Sequence, residues 1–142
     1  MVHALAEIRR VLAPNGILID IRPFADHWPV EVASSRGFKA VGRVDDLPEQ
    51  VNVDVASNEA MTEVESRGWF IREQAEFFSF LYSWDTPSEM EEYVAEDWTD
   101  FARLSDDAKE ATRSAWASSD ADARVQIRVK ILISRWQVAK DL

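Results

Sequence analysis

Asp20, Arg22 and His27 bring a carboxylate, a guanidinium and an imidazole within eight residues of one another, between Ile17 and Pro29. Placed at the carboxyl end of a strand, where open α/β sheets hold their ligands, an acid, a base and a guanidinium can orient a polar ligand. The competing reading is structural: Asp20 and Arg22 bond nearby loop backbone, and His27 is a surface residue before a helix. A second candidate set is Arg72, Tyr82 and Trp84, on or beside an aromatic stripe in which Phe78, Phe80, Tyr82 and Trp84 alternate with Phe77, Ser79, Leu81 and Ser83. Tyr and Trp join apolar surface to a polar handle, which suits a pocket or a subunit interface, while half-buried strands favour the same residues as core. Other chemistries lack their residues. Two histidines without ligand-spaced carboxylates give little basis for a metal site, no cysteine is present, and no Gly-x-Ser-x-Gly elbow occurs. The acidic pairs Glu91-Glu92, Glu96-Asp97 and Asp106-Asp107 are neighbours within helices, where adjacent side chains diverge, and read as solvated faces.

Positioning these residues falls to alternating helical and extended patterns. Leu5, Ile8 and Leu12, with Ala4 and Val11 beside them, form one helical face, and Pro14-Asn15-Gly16 ends it, with Asn15 or Gly16 in a left-handed conformation. Ile17 to Ile21, apolar except for Asp20, reads as a parallel strand buried on both faces. Asp26 as cap, Pro29 in the first turn and Trp28, Val30, Val32 and Ala33 as packed face predict a short helix ending at Arg36-Gly37, followed by a strand over Phe38 to Val44. A surface helix is expected from Asp54 to Arg67, with Val55, Met61 and Val64 at helical spacing, and a long strand from Trp69 to Trp84. Thr86-Pro87-Ser88-Glu89 is a capping box that starts a helix carrying Met90, Tyr93, Val94 and Trp98. Ser105 caps another over Asp106 to Ser118, with Ala108, Ala111, Ala115 and Trp116 on its packed face. Val125, Ile127, Val129, Ile131 and Ile133 alternate with Gln126, Arg128 and Lys130 in a closing strand to Trp136.

The 142 residues fit a single domain, 46% hydrophobic and 30% charged, which is a globular composition. No apolar run approaches the roughly 18 residues that span a bilayer. The absence of cysteine and of a basic, apolar leader fits a cytoplasmic protein. The net charge of -10 is uneven: residues 1–44 carry +2, residues 45–122 carry -16 and residues 123–142 carry +4. So acidic a middle would repel a phosphate backbone and excludes nucleic acid as a main partner.

The opening EIRRVLAPNGILIDIRP, Glu7 to Pro23, resembles the fourth helix and fifth strand of class I S-adenosylmethionine-dependent methyltransferases. Gly37-Phe38 is similar to the dipeptide that precedes their sixth strand, and Val125 to Trp136 resembles their last, antiparallel strand. EFFSFLYSWDTPSEMEEYV also looks like a late strand and helix of some small-molecule methyltransferases. The resemblance implies the C-terminal half of a Rossmann-like α/β fold: a mixed sheet of about four strands, with helices packed on it. Residues 1–44 would be the methyltransferase-like part, residues 45–124 an acidic, mostly helical insertion, and residues 125–137 the final strand.

The same resemblance implies that the donor-binding half, with its glycine-rich loop, has no counterpart before Met1. On this reading S-adenosylmethionine binds only with a partner or with the missing half. The strand at Ile17 would lack its fourth-strand neighbour, leaving an open edge that predicts a homodimer or a complex with a separately encoded methyltransferase half. The alternative is a free-standing α+β domain that binds a small molecule or another protein. Order discriminates between them: the first reading expects the Ile17 strand parallel to the Phe38 strand and antiparallel to the last, the second an all-antiparallel sheet.

Overall fold

The structure, a computed structural model, describes residues 1–140. Its elements in chain order are helix α1 (Val2–Val11), strands β1 (Ile17–Pro23), β2 (Pro29–Ser34), β3 (Gly37–Arg43) and β4 (Asp45–Asp46), helix α2 (Pro48–Ser66), strand β5 (Phe70–Trp84), helix α3 (Pro87–Asp97), strand β6 (Ala102–Arg103), helix α4 (Asp106–Ala117) and strand β7 (Arg124–Val138). The fold is therefore α/β, with four helices and a mostly antiparallel sheet among the described residues. β1 pairs antiparallel with residues 131–137 of β7, and β2 pairs antiparallel with residues 124–127 of β7 and with β3. β5 also pairs with β7. The Ala139 N–H donates to the Trp69 carbonyl, Arg135 pairs with Glu73 and Arg124 with Asp85, so residue numbers rise along β5 as they fall along β7.

The residues group into two compact units. The first holds Met1–Phe24, Asn52–Phe78 and the chain from Ile131; the second holds Ala25–Val51 and Ser79–Lys130. In the first unit Leu5, Ala60, Met61, Val64, Phe70 and Trp136 form the core, with Val2, Ile8, Leu12 and Leu18 packed against it. Directly opposed residues share a sheet face. The register Leu18↔Trp136 and Asp20↔Ser134 therefore sets these four on the face that α1 and α2 cover. Ile19, Ile21 and, from β5, Ile71 and Phe77 remain about half exposed. The second unit buries Trp28, Val30, Val32 and Val44 together with Met90, Val94 and Trp98 from the α3 segment, Ala108 and Thr112 from α4, and Val125, Ile127 and Val129 from β7.

Several expectations are corrected. Residues 29–34 form a strand, not a helix: Val30 and Val32 are β-branched at strand spacing, Glu31 reaches Arg128 and Gln126 on β7, and a turn at Ser35-Arg36 closes a hairpin onto Gly37. The Phe38 strand thus finds its neighbour, antiparallel, in residues expected to be helical, and no parallel relation to the Ile17 strand forms. β1 is not buried on both faces, because its unit has helices over one face only; Ile19 and Ile21 are 48% and 59% exposed. α2 begins six residues earlier than expected and is no mere surface helix, since Met61 and Val64 enter the core while Val55 faces outward. Val11 and Ala111 are likewise exposed, and Thr112 takes the buried position on α4, its hydroxyl donating to the Ala108 carbonyl. In β7 the expected alternation holds through Val129; Gln126 is buried, and beyond Lys130 the buried residues are Ser134 and Trp136.

Local signals fared better. Asn15 takes the left-handed conformation at φ 61°. Thr86 and Glu89 form the reciprocal capping box, and Ser105 accepts from the Ala108 N–H.

Candidate functional site

The six candidate residues divide between the units: Asp20, Arg22 and Arg72 fall in the first, His27, Tyr82 and Trp84 in the second. In the first unit Asp20 and Arg22, two apart on β1, project from the same face. Arg22 Nε donates to Asp20 Oδ2 at 3.1 Å and Nη2 to Asn58 Oδ1 on α2 at 2.7 Å. The Ser134 hydroxyl donates to the same Asp20 oxygen at 3.4 Å, Trp136 Nε1 donates to the Ser134 hydroxyl oxygen at 2.8 Å, and the Arg72 guanidinium lies 5.8 Å from the Trp136 ring centre. Three of the predicted residues are thus joined by one polar chain that runs across β1, β7 and β5. One atom of the chain has no partner: Arg22 Nη1 is buried without an acceptor. A buried N–H left so costs about 1–3 kcal/mol.

In the second unit the His27 imidazole and backbone N–H both approach the Asp46 carboxylate, at 3.6 and 3.0 Å. Tyr82 and Trp84 stack at 6.2 Å between ring centres and meet Tyr93 and Trp98 of the α3 segment at 5.2–6.5 Å. Burial and the neighbouring Tyr82 and Asp97 raise the Tyr93 phenol above its ordinary 10.0, in that order. The four rings meet one another edge and face, which makes them a packed cluster.

Two features were missed by sequence reasoning. Glu31, 2% exposed, accepts two hydrogen bonds from Arg128 and one from Gln126, and Arg128 also lies 4.6 Å from the Phe38 ring centre. In the helix expected over these residues nothing in the sequence marks this glutamate. A small cleft lined by Leu47, Val94, Ala95, Ala102 and Leu104 carries Glu91 in its wall; Arg113 donates to one carboxylate oxygen, and the other is buried without a partner. From the sequence Glu91 reads as half of a solvated pair with Glu92.

Among the described residues no group of His, Cys, Asp and Glu is disposed to hold a metal ion, and no helix is long and apolar enough to cross a membrane. At the end of β1 Asp20 is held by Arg22 and Ser134, and Arg22 by Asp20 and Asn58. Comparison of the chain with family models, curated proteins and solved structures finds no match in any of the three.

Proposed function

We propose that the chain is a methyltransferase-derived α/β domain without a donor site of its own, a binding or interaction protein whose sheet is completed across β1 by a strand from another polypeptide. The observation that carries this reading is sheet order. β7 pairs with both β1 and β5, antiparallel to β1, and among the described residues β1 pairs with β7 alone, so its second edge is open. An antiparallel last strand beside a bare-edged β1 supports the reading; the absence of a parallel relation between the Ile17 and Phe38 strands counts against it.

Calorimetric titration of the purified chain with S-adenosylmethionine tests the reading, with oligomeric state read from the same sample. No saturable heat is expected up to roughly 1 mM ligand, where binding is worth only about 4 kcal/mol. Saturable one-to-one binding to a monomer would overturn it. The antiparallel β2–β3 hairpin favours the second reading, a free-standing α+β interaction domain. Under that reading a monomer neither binds donor nor recruits a strand at β1.

A further inference from the structure

The open edge of β1 has a chemistry that selects its partner, and we infer that the strand completing the sheet is β1 of a second copy of this chain. The inference rests on the strand-completion reading above. Because the Gly16 carbonyl accepts from the Val138 N–H, the alternation of an antiparallel ladder turns the backbone of Leu18, Asp20 and Arg22 toward β7. It turns the N–H and C=O groups of Ile17, Ile19 and Ile21, and the C=O of Pro23, toward the open edge. No lysine or bulge blunts that edge.

Side-chain charge favours one register. Asp20-Ile21-Arg22 is charge-complementary to itself when reversed. A two-fold axis through Ile21 sets each Asp20 against Arg22 of the partner subunit, Ile21 against Ile21 of the partner subunit and Ile19 against Pro23 of the partner subunit. In that register Ile21 donates and accepts backbone hydrogen bonds, while Ile19 only donates, to the carbonyl of Pro23 of the partner subunit, because proline has no N–H to return at this end of the paired stretch. Moving the axis to Asp20 would oppose two aspartates, which is destabilising. Arg22 enters the arrangement with Nη1 still lacking an acceptor.

Both flanks of the edge supply apolar surface. On one face Ile19 and Ile21 are about half exposed. On the other Val55, three residues before the Asn58 that holds Arg22 and so on the same side of α2, is 49% exposed. A second copy presents the same groups reciprocally and closes as an isologous pair, leaving no β1 edge from which to propagate.

The absence of cysteine makes the test clean. Sedimentation of the wild-type chain at micromolar concentration reads a dimer. Mild oxidation converts Ile21→Cys into a disulfide-linked dimer, since opposed hydrogen-bonded residues lie about 5.5 Å apart between Cα atoms, within disulfide range. Ile19→Cys does not cross-link, because in this register the two Ile19 positions are offset by about 13 Å along the strands. Ile21→Lys, at a position 59% exposed, sediments as a monomer with unchanged circular dichroism. A monomeric wild type, a dimer indifferent to Ile21→Lys, or equal cross-linking at both positions overturns the proposal. Titration of the same samples with S-adenosylmethionine separates the two claims: a monomer that binds no donor removes the second copy alone, whereas a monomer that binds it removes the reading beneath.

Discussion

Glu31 is the residue on which the second unit depends most for polar order. Its carboxylate, 2% exposed, is held by the Arg128 guanidinium through two bonds and by the Gln126 amide. Removing the carboxylate leaves the part-buried Arg128 guanidinium and the buried Gln126 amide without their acceptor, so Glu31→Ala is expected to lose about 1–3 kcal/mol in urea denaturation. Asp122 gives a pH signature. Its carboxylate accepts from the Ser35 backbone N–H at 2.9 Å, and Ser35 holds the group below its ordinary 3.8 in the folded state. The stabilisation is therefore complete above the unfolded-state value and fades as pH falls through the lower folded value. Asp122→Asn should flatten that acid-side loss, read as the difference in midpoint between the two proteins at pH 6 and at progressively lower pH. At this scale the sequence showed half of the polar chain. Asp20 and Arg22 are two apart on a strand and legible as a pair, whereas Asn58 and Ser134 join them from 36 and 114 residues away, a distance no local pattern encodes.

Elements whose signals are local were legible, and those chosen by distant contacts were not. The Thr86 and Glu89 side chains satisfy the first turn of α3 by themselves, which is why the capping box was readable in four residues. Thr86→Ala should cost about 1 kcal/mol by thermal or chemical denaturation. The β2–β3 hairpin is the opposite case. Pro29, the valines and Ala33 satisfy a helical face as well as a strand; pairing with β7 through Val30↔Ile127 and Val32↔Val125 decides for the strand. Gly37, at φ +125°, closes its turn in a conformation that a Cβ strains, although nothing lies within 4 Å of where that Cβ would be. Gly37→Ala is therefore expected to destabilise through backbone strain alone, by roughly 1 kcal/mol in denaturant titration. α2 misled for a further reason. Its inner face carries Gln50, Asp54 and Ser57 while Val51, Val53 and Val55 face outward, so hydrophobic spacing located the helix and misplaced its face.

For the whole molecule, composition was informative and topology was not. A charge of -10 and a globular hydrophobic content are properties of the sequence itself. Which side of β1 stays bare depends on α1 and α2 both packing against the Trp136 side of the sheet, a choice made between residues far apart in the chain, such as Leu5 and Met61 with Trp136. Ile71, 54% exposed, shows that apolar surface here is not all core: Ile71→Thr should change unfolding free energy by no more than about 0.5 kcal/mol. Denaturant titration checks that figure. The division of the chain has a consequence of another kind. One unit is assembled from three stretches of sequence and the other from two, so the polypeptide passes between them four times, and β5 and β7 each lend one half to either. Neither unit is a contiguous segment, so no single cut or gene fusion transplants one of them. A cut at any one point leaves neither unit whole on a piece of its own.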